Sequence, residues 1–79
     1  SYRMVFLIQY NRKKGRLIRL EPFVDVDRQK AENARLELEL SFITSGLDDE
    51  VVLLEADSET ALRLTHRRYF ENPHEIAST

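Results

Sequence analysis

His66, His74, Ser41, Ser45, Ser58, Ser78 and the acidic run Asp48-Asp49-Glu50 come closest, by residue type, to a reactive centre. A metal site or an acid–base pair needs several such groups at a spacing that lets them converge. The two histidines are separated across Pro73, with no cysteine in the chain and no paired carboxylate beside either. His66 borders an apolar helical face, where a histidine is more often a packed or capping side chain than a ligand. None of the serines has the glycine elbow or adjacent base that activates a hydroxyl. Two glycines are too few for the usual phosphate-binding loops. Three adjacent acids can hold a hard cation, but directly before a strand they more often form a solvated turn. The expectation is a protein that is not an enzyme and uses neither cofactor nor metal.

The strongest charged feature is basic. Arg12, Lys13, Lys14 and Arg16 crowd one polar link, with Tyr10 next to them as a stacking group. A tip of this kind can grip phosphates, so nucleic-acid binding is one functional reading. Arg63, Arg67 and Arg68, beside Tyr69 and Phe70, extend it. Glu59 and Glu71 flank those arginines, however, and the isoelectric point is about 5.6. The net charge of −2 hides a polarity: residues 1–20 carry basic groups and no acid, and the acids begin at Glu21. Such a distribution can steer an anionic partner or orient two copies; it is also what an ordinary mixed-charge surface looks like when read in one dimension.

The elements that would position these groups are organised around Glu50–Phe70. Val51-Val52-Leu53-Leu54 is too short for a free helix and has the branched residues of a buried strand. Asp57 and Ser58 follow as candidate N-caps, Glu59 sits where the helix dipole favours an anion, and a helix runs to about Phe70 before Asn72-Pro73. Its buried line is Ala61, Leu62, Thr65 and Tyr69; its outer line, Glu59, Arg63, Arg67 and Glu71, has i,i+4 spacing.

Upstream, Tyr2–Tyr10 alternates Tyr2, Met4, Phe6, Ile8 and Tyr10 against Arg3, Val5, Leu7 and Gln9, the pattern of a central strand. A polar link with Gly15 turns it into a second strand, Arg16–Phe23, which Pro22 confines to an edge. Strict alternation puts Ile18 and Leu20 on one of its faces and Leu17, Arg19, Glu21 and Phe23 on the other. Asp25 and Asp27 then offer caps for a helix to about Thr44, stopped by Ser45-Gly46. Leu36, Leu38, Leu40 and Phe42 alternate as a strand would, but the good helix formers before them and the length of the segment favour helix. As a helix it has a second apolar line, Leu36, Leu40 and Ile43, besides Ala31, Ala34, Leu38 and Phe42.

The resulting expectation is an α+β domain, β-β-α-β-α, over residues 1–72, with a loose tail at 73–79. The sheet is three-stranded and antiparallel in the order 2-1-3, with both helices on one face. On the other face Val5, Leu7, Leu17 and Phe23 form an apolar patch, which predicts a small interaction or regulatory module that pairs with itself or another protein. At 79 residues a single core leaves little margin, and without cysteine any added support comes from packing or a partner subunit. No apolar run approaches a membrane span and the opening residues lack a signal-peptide layout, so a soluble, cytoplasmic protein is expected.

Overall fold

The computed structural model describes residues 3–71. It shows β1 (Met4–Asn11), β2 (Arg16–Val24), a 3-10 turn at Asp25–Asp27, α1 (Arg28–Ser45), β3 (Glu50–Ala56), α2 (Glu59–Thr65) and a last 3-10 turn at Arg67–Tyr69. The strands form one antiparallel sheet with β1 between β2 and β3, as the β-β-α-β-α reading predicts. Tyr2, His74, Ser78 and the expected tail lie outside the described residues.

β1 is central because both of its faces are apolar enough to be covered, and every residue from Val5 to Tyr10 is buried. Its turn into β2 is set by Asn11, whose Oδ1 accepts the Lys14 N–H at 2.7 Å, and by Gly15 at φ 63°. That positive φ is inexpensive for glycine alone. The pairing of β1 with β2 then departs from strict alternation. Gln9 lies opposite Arg19 and Tyr10 opposite Leu17, so Ile18 is the extra residue of a β-bulge. The bulge moves Leu17 to the face of Tyr10, where it packs with Leu20.

Residues 35–43 are helical throughout, within an 18-residue α1. At helical spacing the apparent alternation splits in two: Leu38 and Phe42 are half-buried, and Leu36 and Leu40 are exposed. Gly46 ends the helix at φ 77°, its N–H donating to the Phe42 carbonyl at 2.9 Å. The expected aspartate caps do not form. Asp25 instead accepts from Arg28 at 2.8 Å, and Asp27 lies 3.7 Å from Lys30.

Ser58 does cap α2, its Oγ accepting the Ala61 N–H at 3.0 Å. The helix is shorter than the expected span to Phe70. Thr65 Oγ1 donates back to the Ala61 carbonyl at 3.0 Å, and His66 leaves helical geometry at φ −126°, ψ 54°. The chain re-coils as the 3-10 turn that delivers Tyr69 to the core. Thr65 itself, expected to be buried, is exposed.

The two helices, expected on one face of the sheet, cover opposite faces. Phe6, Ile8 and Tyr10 pack with Ala56, Leu62 and Tyr69 as one core cluster, which places α2 and the last turn on that side. Val5 and Leu7 point the other way, yet they are 1% and 0% exposed. Their cover is α1. Ala31 is fully buried, and Arg28 donates to Glu55, the residue that pairs with Val5 across the β1–β3 ladder. A sheet whose central strand is apolar on both sides needs one helix for each. Among the described residues no helix is long and apolar enough to cross a membrane.

Candidate functional site

Polar side chains converge at the end of the sheet where β1 leaves for the hairpin and β3 begins. Glu50 opens β3 opposite Tyr10, on the α2 face. Its side chain is only 10% exposed, and its carboxylate accepts from the Tyr69 hydroxyl, from Arg68 at 2.7 Å and from Arg12 at 3.3 Å. The Tyr69 ring meets Tyr10 edge-on at 5.3 Å, and the Arg68 guanidinium lies 4.1 Å over Tyr69. Burial pushes the Glu50 carboxyl up, but the hydrogen bonds from Tyr69, Arg68 and Arg12 outweigh it and hold it below the ordinary carboxylate range. Burial and the bond to Glu50 push Tyr69 up to about 12. Near neutrality the carboxylate is therefore ionised and the phenol protonated. The group acts as a lock between β3 and the last turn.

On the other face, the side-chain amide of the buried Gln9 donates to Asp49 at 2.8 Å, and Asn11 donates to the same carboxylate at 3.0 Å. The run Asp48-Asp49-Glu50 is therefore divided. Glu50 is held by basic groups on one face and Asp49 by amides on the other. No three His, Asp or Glu side chains converge as a metal site among the described residues. His66 is half-buried, with Nδ1 2.9 Å from the Thr65 hydroxyl.

The basic residues expected to act together at the hairpin tip are not equivalent. Arg12 is turned to Glu50, whereas Lys13, Lys14 and Arg16 are exposed and make no ion pair with another described residue. A depression beside Lys13 is lined by Asn11, Asp48 and Asp49 as well as by Arg12.

The apolar residues expected to share an open sheet face do not form a patch. Val5 and Leu7 lie beneath α1 within the single chain, Leu17 is carried to the opposite face by the bulge, and Phe23 is half-buried opposite Val5. Hydrophobicity alone did not reveal which helix would cover which face.

The exposed apolar surface is elsewhere. Leu36, Leu40 and Ile43 of α1 are 56%, 53% and 78% exposed, and Leu47, just past the helix stop, is 52% exposed. Starting from the sheet-facing Ala31 and turning about 100° per residue, Arg35, Glu39, Ile43, Leu36 and Leu40 follow at about 40°, 80°, 120°, 140° and 180°. Arg35, Glu39 and Phe42 line a cleft of about 530 Å³ with Val51 and Val52. Adjacent strand residues point to opposite faces, and Arg12, Asp49 and Glu50 complete the lining, so this cleft wraps the outer edge of β3 at its Glu50 end. Ile43 and Leu36 therefore lie on the β3 side of α1, and Leu40 points directly away from the sheet. The signal for this stripe was the second apolar line in the sequence of α1.

Comparison with known protein families, with curated proteins and with solved structures found no match to this chain.

Proposed function

We propose that this chain is a small non-catalytic interaction module whose docking surface is the outward stripe Leu36, Leu40 and Ile43 of α1. The observation that carries this is their exposure on a helix that already buries Ala31 against the sheet. One apolar side is enough to hold a helix on a sheet; a second, at helical spacing and facing solvent, is not covered by any other described residue to the extent that Ala31 is. Patches of this kind mark contact surfaces in soluble proteins. Docking through Val5 and Leu7 is not part of this reading, because α1 occupies that face. The test is tolerance to charge. Leu36→Lys with Leu40→Lys should leave the thermal midpoint within about 3 °C of the parent, as expected of surface changes, and should abolish binding of a solvatochromic hydrophobic dye. A large loss of stability would make these leucines core residues and end the proposal.

A second reading, nucleic-acid binding at the hairpin tip, draws support from the exposure of Lys13, Lys14 and Arg16 without ion-pair partners among the described residues. The nearby Asp48 and Asp49 count against it.

A further inference from the structure

The two edges of the sheet are built differently. β2 carries Pro22, a bulge at Ile18, and the charges Arg16, Arg19 and Glu21. Each of these discourages another strand from adding to that edge. β3 has none of the first two: Glu50–Ala56 contains no proline and pairs with β1 without a register shift. Its middle is four consecutive apolar residues, Val51 to Leu54, all half-buried where their β1 neighbours are fully buried. Among the described residues no strand pairs with its outer edge.

We propose that the outer edge of β3 pairs with the same edge of a second copy, antiparallel about Leu53, to make a continuous six-stranded sheet. This deepens the reading of α1 as a docking surface and rests on it. With Leu53 opposite its own mate, Val52 faces Leu54 of the other copy on the α2 side of the sheet. Apolar side chains thus meet on both faces. A two-fold axis through Leu53 keeps each α1 on the same face of the joined sheet and runs the two helices antiparallel, with opposed dipoles. Because Ile43 and Leu36 lie on the β3 side of α1, they turn toward the second helix.

A second copy is the occupant that the size of the surface fits. Seven strand residues at about 3.4 Å each give a strip about 24 Å long, and sheet plus helix is about 20 Å tall. Its projected area is on the order of 500 Å², and its accessible surface is larger, approaching the roughly 800 Å² per partner of a standard interface. A short peptide added to β3 would cover the edge and leave the helix stripe bare.

The experiment is light scattering and amide exchange on the full chain. Light scattering at about 500 µM should give twice the chain mass, falling toward the monomer near about 1 µM by mass action. The β3 amides that do not bond to β1 should exchange at least about tenfold more slowly in the concentrated sample. Leu36→Lys with Ile43→Lys, both at exposed positions and so expected to fold, should shift the chain to monomer and release those amides. A dimer whose outward β3 amides exchange equally fast at both concentrations would overturn the joined sheet and leave association through α1 alone. A folded monomer at about 500 µM would overturn the second copy altogether, while the dye and stability test of the stripe would stand or fall separately.

Discussion

Replacing Tyr69 by phenylalanine isolates the lock at the end of the sheet. The ring remains, so its edge-on contact with Tyr10 at 5.3 Å and most of its burial at 6% exposure are kept. What is lost is one hydroxyl that accepts from Arg68 at 2.6 Å and donates to a carboxylate whose side chain is 10% exposed. A hydrogen bond to a charged, desolvated acceptor contributes about 1.5–3 kcal/mol. Arg68 and Arg12 remain on Glu50 and soften the loss, so about 1.5 kcal/mol is expected, a fall of roughly 6–12 °C in melting temperature for a domain of this size. The pH dependence follows from the two groups. Tyr69 has its pKa raised to about 12 from 10.0, so its contribution is whole below pH 10 and fades as pH rises through 12. The pKa of Glu50 is lowered from 4.5, so its contribution is present above that value and fades as pH falls through the folded one. Urea unfolding followed by circular dichroism should show a gap between parent and Tyr69→Phe that is flat from about pH 5 to pH 10 and narrows on either side. A variant within about 0.3 kcal/mol of the parent at pH 7, or a gap that persists unchanged well below the Glu50 range, would refute the assignment of the bond.

Two further outcomes test the core and the hairpin. Leu62→Ala removes a fully buried side chain and should cost about 2–5 kcal/mol by chemical denaturation, enough to unfold much of the population, whereas Leu64→Ala, at 71% exposure, should stay within about 0.5 kcal/mol. If the hairpin tip binds nucleic acid, Lys13→Glu with Lys14→Glu should weaken binding to all sequences and flatten its steep salt dependence; filter binding that detects nothing at low salt with single-stranded and duplex ligands would remove that reading.

Element types and the edge position of β2 could be read from the sequence because each rests on a local signal, and the strand order followed from the handedness of the crossover. Alternation marked β1, Pro22 marked an edge, Gly46 marked a helix stop and Ser58 marked a helix start. Three features were not legible, for distinct physical reasons. The bulge at Ile18 leaves no residue type behind it, so the facing of Leu17 could only follow from the pairing itself. The side of the sheet that α1 takes is a matter of tertiary packing, and Val5 and Leu7 look the same whether covered by a helix or by another chain. The early end of α2 at Thr65 depends on a side chain bonding back to Ala61, in competition with helix continuation. For the polar site, the residues were visible and their pairing was not: Glu50 was read as part of a solvated turn, yet it is the acceptor around which Arg12, Arg68 and Tyr69 assemble.

The central position of β1 has a consequence for the chain before it is folded and when it opens. Met4 to Gln9, MVFLIQ, has no charge, no proline and no glycine, the composition of segments that stack into cross-β fibres. In the native sheet it is the one strand with a neighbour on each side. Its β2 neighbour arrives by a tight local turn, but its β3 neighbour lies some 40 residues away, as the link from Gln9 to Asp49 shows. Closing that long loop is the slower and more costly event. A nascent or partly opened chain therefore holds the β1–β2 hairpin with one flank of MVFLIQ bare until β3 docks. The lock at Glu50 and the ties at Asp49 fasten the strand whose departure would expose it, so their loss would show first as aggregation at moderate temperature and only later as cooperative melting.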